Sequence, residues 1–240
     1  MREPSAYLSV IIPAYNEEPN LSTTLQDVAN FLETKDYRHE IIVVDDGSKD
    51  RTSEIAAAEA RRFDSFILLK NPANRGKGYS VKRGVLEAGG EIVLFMDADN
   101  STRIDQIEGL VAALKDGFDV AIGSRRLPGA AIDLAQPISR RILGNTYIWL
   151  SKWLLGATVQ DFNCGFKLFK REAAKSLFPR LTREDWTFDS ELIFLISKLG
   201  LKLNEVPVRW HDIRTSKVKP LRDGVKSLWG LLKIRLNRYD

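Results

Sequence analysis

Cysteine is almost missing from this chain: Cys164 stands alone among 240 residues, so no intrachain disulfide can form and nothing argues for secretion. Histidine is nearly as scarce, and His39 and His211 are too few and too separated to suggest a zinc site. No apolar run approaches the ~20 residues that a membrane-spanning helix needs. The longest candidate, "TYIWLSKWLLG", is broken by Ser151 and Lys152. The opening "MREPSAYLSV" lacks the apolar core of a signal peptide. A soluble or peripheral chain is therefore expected. Also missing are a G-x-S-x-G nucleophile turn and the glycine spacing of a P-loop or dinucleotide fingerprint.

What is present is an ordinary globular composition, 44% hydrophobic and 28% charged, long enough for one large α/β domain. The formal net charge of +4 is unevenly spread: from Arg214 to Asp240 eight Lys or Arg face two Asp. That bias points to an anionic partner near the C-terminus. In the first half, apolar, β-branched stretches at 7–15, 40–48, 65–71, 91–99 and 119–125 read as strands. Helical stretches at 17–34, 50–63, 77–89 and 104–116 separate them. This alternation predicts a mainly parallel central sheet flanked by helices, with a ligand beyond the carboxyl ends of the strands. After residue 125, "RLPGAAIDLAQP" reads as a loop, and 138–155, 186–199 and 221–238 as amphipathic helices. No linker separates the halves, so 1–240 is expected to be a single domain.

"IVLFMDADNS" ends a buried strand with Asp97 and Asp99, two like charges that resist ionising together unless a cation lies between them. Hard carboxylate oxygens with few other ligands suit Mg²⁺ or Mn²⁺ holding a diphosphate. A solvated strand end is the plainer alternative. In "IVVDDGSKDRT", Asp46 offers an acceptor for a base or ribose, while Ser48 or Asp50 caps the next helix. "PAYNEE" supplies Pro13 to stiffen a strand exit, Tyr15 as a face for a base and Glu17 as an acceptor. "NRGKGYS" sets two glycines around Lys77, a turn suited to anionic groups. Phe188, Leu192 and Leu195 share a helical face and read as core; Asp189 and Glu191 fall elsewhere, and a lone acid on a helix is expected to be solvated.

Taken together, "SVIIPAYNEE", "IIVVDDGSKDRT", "NRGKGYSVKRG", "VLFMDADNST", "IGSR", "CGFKLFKRE", "WTFDSEL" and Ser216–Lys217 resemble the family 2 glycosyltransferases of the glycosyltransferase A fold. Within them the chain resembles the polyprenyl-phosphate glycosyltransferases, and the later strings the dolichyl-phosphate β-glucosyltransferase branch. The resemblance implies that Pro13, Tyr15, Glu17, Asp46, Lys77, Asp97, Ala98 and Lys217 meet a nucleotide sugar, with UDP-glucose favoured. It implies that Asp97, Asp99 and Ser101 hold the metal, and that Arg125, Arg140 and Lys217 meet the acceptor phosphate. Asp97, Asp99 and Arg125 would carry the catalysis, an inverting transfer to a dolichyl or undecaprenyl phosphate. Residues 1–125 would form the donor half and 126–240 the acceptor and membrane half. Mannose synthases of this type carry glutamine where Ser101 stands and arginine where His211 stands, which favours glucose over mannose.

A phosphate acceptor is already largely ionised at pH 7, since its second pKa is about 6. A hydroxyl acceptor would instead need a base, for which Asp189 and Glu191 are the candidates. A GDP-mannose donor also stays open, whereas a nucleic-acid-binding module would have no use for the aspartates. In 219–238, Leu221, Val225, Leu228, Leu232 and Leu236 follow helical spacing, with Trp229 beside them. Trp149 and Trp153 repeat the pattern near Arg140, Arg141 and Lys152. Both helices are expected to lie on the cytoplasmic face of a membrane, or else to pack on the sheet. Oligomeric state leaves no mark on the sequence.

Overall fold

The computed structural model describes residues 1, 5–133, 138–211 and 220–239, with 138–143 and 220–225 described by backbone alone. The first four strands are β1 Ala6–Ala14, β2 His39–Asp45, β3 Phe66–Lys70 and β4 Gly90–Met96. Each lies within the stretch expected of it or within a residue of it. Helices α1 Leu21–Leu32, α2 Thr52–Glu59, α3 Lys77–Glu87 and α4 Ile107–Lys115 alternate with them, and β5 Val120–Ser124 follows α4.

The second half adds β6 Ala131–Ile132, α5 Ile138–Leu155, β7 Phe166–Lys170, α6 Arg171–Leu177 and α7 Phe188–Lys198. It closes with β8 Leu203–Pro207, β9 Arg209–Trp210 and α8 Pro220–Leu236. The main sheet runs β3-β2-β1-β4-β7-β5-β8. Its pairings are parallel except around β7, which is antiparallel to both β4 and β5. The mainly parallel sheet of the expected glycosyltransferase A fold is therefore present.

Four strands, β6 to β9, escape the sequence reading. β7 ("FKLFK") is only five residues long and carries a lysine at an inward position, so it does not read as a buried strand. β8 is equally short and carries Glu205 and Asn204. The stretch expected to be a loop after residue 125 contains β6, which pairs with β9 in a separate two-stranded sheet.

Strand alternation sorts the core into two layers. Val10, Ile12, Ile41, Val43, Leu94 and Met96 point to the face covered by α1, α2 and α4. Ile11, Ile42, Val44, Val93 and Phe95 point to the face covered by α3, α6 and α7. The two-residue period matters for what comes next. Asp97 continues the Val93–Phe95 parity, so its side chain emerges on the α3 and α7 side.

Candidate active site

The exits of β1, β2 and β4 lie side by side, and β3 and β7 flank them. Asp97 meets Lys77 there: Lys77 Nζ lies 2.6 Å from Asp97 Oδ1, both side chains about one-third exposed. Burial alone would push the Lys77 ammonium down; Asp97, Asp189 and Asp99 outweigh it and hold it above its ordinary value. A second lysine sits behind. Lys167 is fully buried, 2.6 Å from Asp189 Oδ1, and also donates to the carbonyls of Phe162 (3.0 Å) and Cys164 (2.7 Å). The Phe95 ring touches both ammonium groups, 5.6 Å from Lys77 Nζ and 5.2 Å from Lys167 Nζ.

Gly165 makes room for this arrangement. Its carbonyl accepts the Asp97 N–H at 3.1 Å. A Cβ added to Gly165 would fall 2.0 Å from Asp97 Oδ2. Only hydrogen fits.

Asp99 is half-buried, and burial followed by the Asp97 charge pushes its carboxyl above the ordinary range. Its Oδ1 accepts the Ser101 N–H at 3.0 Å. The Ser101 carbonyl in turn accepts the His211 N–H at 2.8 Å, bringing β9 to the motif. Ala98 is buried, and its carbonyl accepts from Thr24 Oγ1 at 2.7 Å, tying the turn to α1. A cleft of about 490 Å³ opens beside Asp99, rimmed by Asn100, Arg103, Asp133, Arg209 and His211.

At the neighbouring exits, Pro13 pairs in register with Val44 of β2, just past the last β1–β4 pair, Ile11 with Phe95. A residue without an N–H is tolerated there. The Glu17 amide donates to Thr52 Oγ1 at 2.8 Å, its carboxylate accepts from Asn20, and Tyr15 stands half-buried beside it. Asp46 is buried and faces protein groups: it accepts from Asn71 Nδ2 (2.6 Å), the Arg75 amide (3.0 Å) and the Gly76 amide (2.8 Å). Its carboxylate thus shapes the loop that presents Lys77. Gly76 has φ 112°, and a Cβ there would meet the Glu184 carbonyl at 2.4 Å.

Arg125 makes a two-pronged pair with Asp161, Nε to Oδ2 at 2.7 Å and Nη2 to Oδ1 at 2.8 Å, and lies over the Trp210 ring. Burial opposes the Asp161 charge, but Arg125 holds the carboxyl below its ordinary value. Arg140 lies on α5 with its side chain outside the described residues, and Lys217 lies outside them altogether.

The expectation of solvated acids on α7 is wrong. Asp189 and Glu191 are both buried. Asp189 is matched to Lys167, while Glu191 accepts from the amides of Thr182 and Arg183, the Thr182 hydroxyl and the Tyr239 hydroxyl. Spacing on one helix cannot reveal partners that arrive from β7, the 182–183 loop and the C-terminus. Asp161, Gly165 and Lys167 are not read as site residues from the sequence; the family string "CGFKLFKRE" contains Gly165 and Lys167 but does not show what they touch.

Helices α5 and α8 pack on each other through Leu155, Leu231 and Ile234. The stripe read on α8 is not the packed face: Leu228 and Leu236 are exposed, whereas Ser227, Gly230, Leu231 and Ile234 point inward. The side chains of Leu221 and Val225 lie outside the described residues. Trp149, Trp153 and Trp229 are each more than half exposed. Among the described residues no helix is long and apolar enough to cross a membrane.

Comparison with known proteins agrees with this layout. The family described as Glycosyl transferase family 2 matches residues 9–178. A dolichyl-phosphate β-glucosyltransferase of Drosophila melanogaster is 41% identical, the match covering 90% of this chain and 71% of that protein. The Homo sapiens dolichyl-phosphate β-glucosyltransferase is 34% identical over 98% of this chain and 76% of its own. Among solved structures, glucosyl-3-phosphoglycerate synthase from Mycobacterium tuberculosis, in complex with Mn²⁺, UDP-glucose and phosphoglyceric acid, superposes with a TM-score of 0.71 at 20% identity. That likeness covers 96% of this chain and 80% of the other, and it speaks to the fold. Motifs, sheet order and relatives converge: the chain belongs to glycosyltransferase family 2.

Proposed function

We propose that this enzyme transfers glucose from UDP-glucose to dolichyl phosphate, with inversion, at the exits of β1, β2 and β4. The glucose and dolichyl assignments rest on the relatives, whose printed activity is dolichyl-phosphate β-glucosyltransferase. One structural observation carries the acceptor class. The two α7 acids that are the candidate bases are both engaged: Asp189 by a buried lysine and Glu191 by four donor groups. Neither is available to deprotonate a hydroxyl. A phosphate monoester needs no such base, being largely a dianion at neutral pH.

In the reaction a phosphate oxygen of the acceptor bonds to the anomeric carbon as the bond from that carbon to the diphosphate breaks, and UDP leaves with the electron pair. Asp97, Asp99 and the Ser101 hydroxyl form a hard-oxygen donor set that fits Mg²⁺ or Mn²⁺, which is commonly held by one or two carboxylates together with substrate phosphates. The unpartnered buried Oδ1 of Asn100 lies at the same turn. Such a cation would supply positive charge to the departing diphosphate. Lys77 adds a protein charge on the same side, and Pro13, Tyr15, Glu17 and the Ala98 backbone line the nucleotide's side. Asp46 acts on the donor through the loop that carries Lys77. Arg125, with Arg140 and Lys217, receives the acceptor phosphate. Residues 1–125 form the donor half and 126–240 the acceptor half of one domain.

The acceptor's prenyl chain calls for a lipid surface. Exposed Trp149, Trp153, Trp229, Leu228 and Leu236 beside Lys152, Lys226 and Lys233 support an in-plane α5–α8 contact with anionic lipid. The lone cysteine suits the cytoplasmic face.

The test is a donor screen on purified protein with dolichyl phosphate, reading nucleotide release from UDP-glucose, UDP-N-acetylglucosamine and GDP-mannose. UDP-glucose should lead, and chelator should stop turnover until Mg²⁺ or Mn²⁺ is restored. A preference for GDP-mannose, or full turnover in excess chelator, would overturn the reading. Flotation checks the membrane face: wild type should rise with anionic vesicles, less so in high salt, and Leu228→Glu should stay at the bottom.

A further inference from the structure

We infer that Lys77 and the divalent cation compete for Asp97, so that the nucleotide-free enzyme binds metal weakly and the donor diphosphate releases the block by drawing Lys77 to itself. This rests on the proposed metal site at Asp97.

The argument starts from where each group is free to move. Lys77 Nζ occupies Asp97 Oδ1 at 2.6 Å. Mg²⁺ binds carboxylate oxygen at about 2.0–2.1 Å, so both cations on that oxygen would stand no more than about 4.7 Å apart. At that distance the repulsion between a monovalent and a divalent charge is large unless anions intervene. The carboxylate cannot simply turn away, because the Gly165 backbone closes the side facing Oδ2: a Cβ there would fall 2.0 Å from that oxygen. The Asp97 N–H, bound to the Gly165 carbonyl at 3.1 Å, keeps the two together.

Nor can the loop carrying Lys77 retreat. The Arg75 and Gly76 amides are anchored on the buried Asp46 carboxylate at 3.0 and 2.8 Å. The Tyr79 amide donates to the Glu184 carbonyl at 3.1 Å, and a Cβ on Gly78 would lie 2.6 Å from the Arg183 carbonyl. Only the Lys77 side chain, about one-third exposed, has room to swing. Lys167 does not: it is fully buried and fixed by one carboxylate and two carbonyls. The exchangeable lysine is therefore the one at the mouth of the site. A diphosphate arriving there supplies negative charge to both cations at once, which removes the conflict.

The experiment measures Mn²⁺ binding, by calorimetry or by the EPR signal of free Mn²⁺, for wild type, Lys77→Met and Lys77→Arg, without nucleotide and with UDP. Without UDP, Lys77→Met should bind Mn²⁺ at least tenfold more tightly than wild type, and Lys77→Arg should stay close to wild type. UDP should tighten Mn²⁺ binding more in wild type than in Lys77→Met. Amine labelling of wild type, read by mass spectrometry, needs no variant. Labelling at Lys77 should rise when Mn²⁺ is added and fall again with UDP. Equal or weaker Mn²⁺ binding by folded Lys77→Met, or labelling indifferent to Mn²⁺, overturns the inference while leaving the metal site standing. No Mn²⁺ binding by wild type even with UDP overturns the metal site and the inference together.

Discussion

Two Lys–Asp pairs of the same length share one phenylalanine, and they do different jobs. Lys167–Asp189 and Lys77–Asp97 each close to 2.6 Å, and both lysines lie over the Phe95 ring. The first pair is 0% and 4% exposed, the second 29% and 31%. Distance alone would rank them equal. Burial separates them: breaking a buried pair strands a charge in a low-dielectric interior, whereas a partly exposed pair has water and ions as substitutes. The inner pair thus fixes architecture, joining β7 to α7 behind the site, and the outer pair is free to trade partners. That division of labour answers why a buried strand ends in two aspartates. Asp97 has a protein cation at hand, and Asp99 keeps a carboxyl pushed up by burial and by Asp97.

The comparison can be broken most forcefully from the outer side. Asp97→Asn should cut turnover by about a thousandfold, the scale of losing a preorganised charge contact in a transition state. Its melting temperature should barely move. Gly165→Ala should mimic it through displacement of the carboxylate alone. Steady-state kinetics beside thermal melts decide both, and an active Gly165→Ala enzyme would show that Asp97 tolerates relocation.

From the inner side the pattern reverses. Lys167→Met should cost roughly 3–5 kcal/mol of stability by leaving Asp189 unpaired, read by urea unfolding. Lys77→Met should cost no more than about 1 kcal/mol, as partly exposed pairs do. Similar losses would erase the distinction between the pairs.

A third ion pair sharpens the contrast through pH. Arg125 depresses the buried Asp161 carboxyl, so its contribution is full above the unfolded value of about 3.9 and is lost as pH falls through the lower folded value. Wild type should therefore exceed Asp161→Asn in stability by a constant margin from about pH 5 to 8, and the margin should shrink below about pH 4. A margin that persists into strong acid would mean that the hydrogen bonds of Asp161, not its charge, matter.

How much of this was legible in the sequence follows from which contacts are local. The strand ends carrying Asp46, Asp97 and Asp99 could be read because an apolar run followed by acids is a one-dimensional signal. The parallel sheet followed from the alternation of strands and helices. The partners were not legible. That Lys77 belongs to Asp97 depends on how α3 packs beside the exit of β4; that Lys167 belongs to Asp189 and Arg125 to Asp161 depends on β7 inserting between β4 and β5, and a five-residue strand with lysine inside leaves little trace. The same blindness made Asp189 and Glu191 look solvated. Resemblance supplied what pattern could not, since "CGFKLFKRE" and "WTFDSEL" mark the family even where their physical role is hidden.

The most direct test of the account exchanges the acceptor and nothing else. Wild-type enzyme is given UDP-glucose with dolichyl phosphate or with dolichol, the same lipid ending in a hydroxyl, and the glucosylated lipid is quantified. With both α7 acids engaged, the account predicts transfer to the phosphate and none to the alcohol. Glucosylation of dolichol at a comparable rate would contradict it, because a working base would then have to exist at this site.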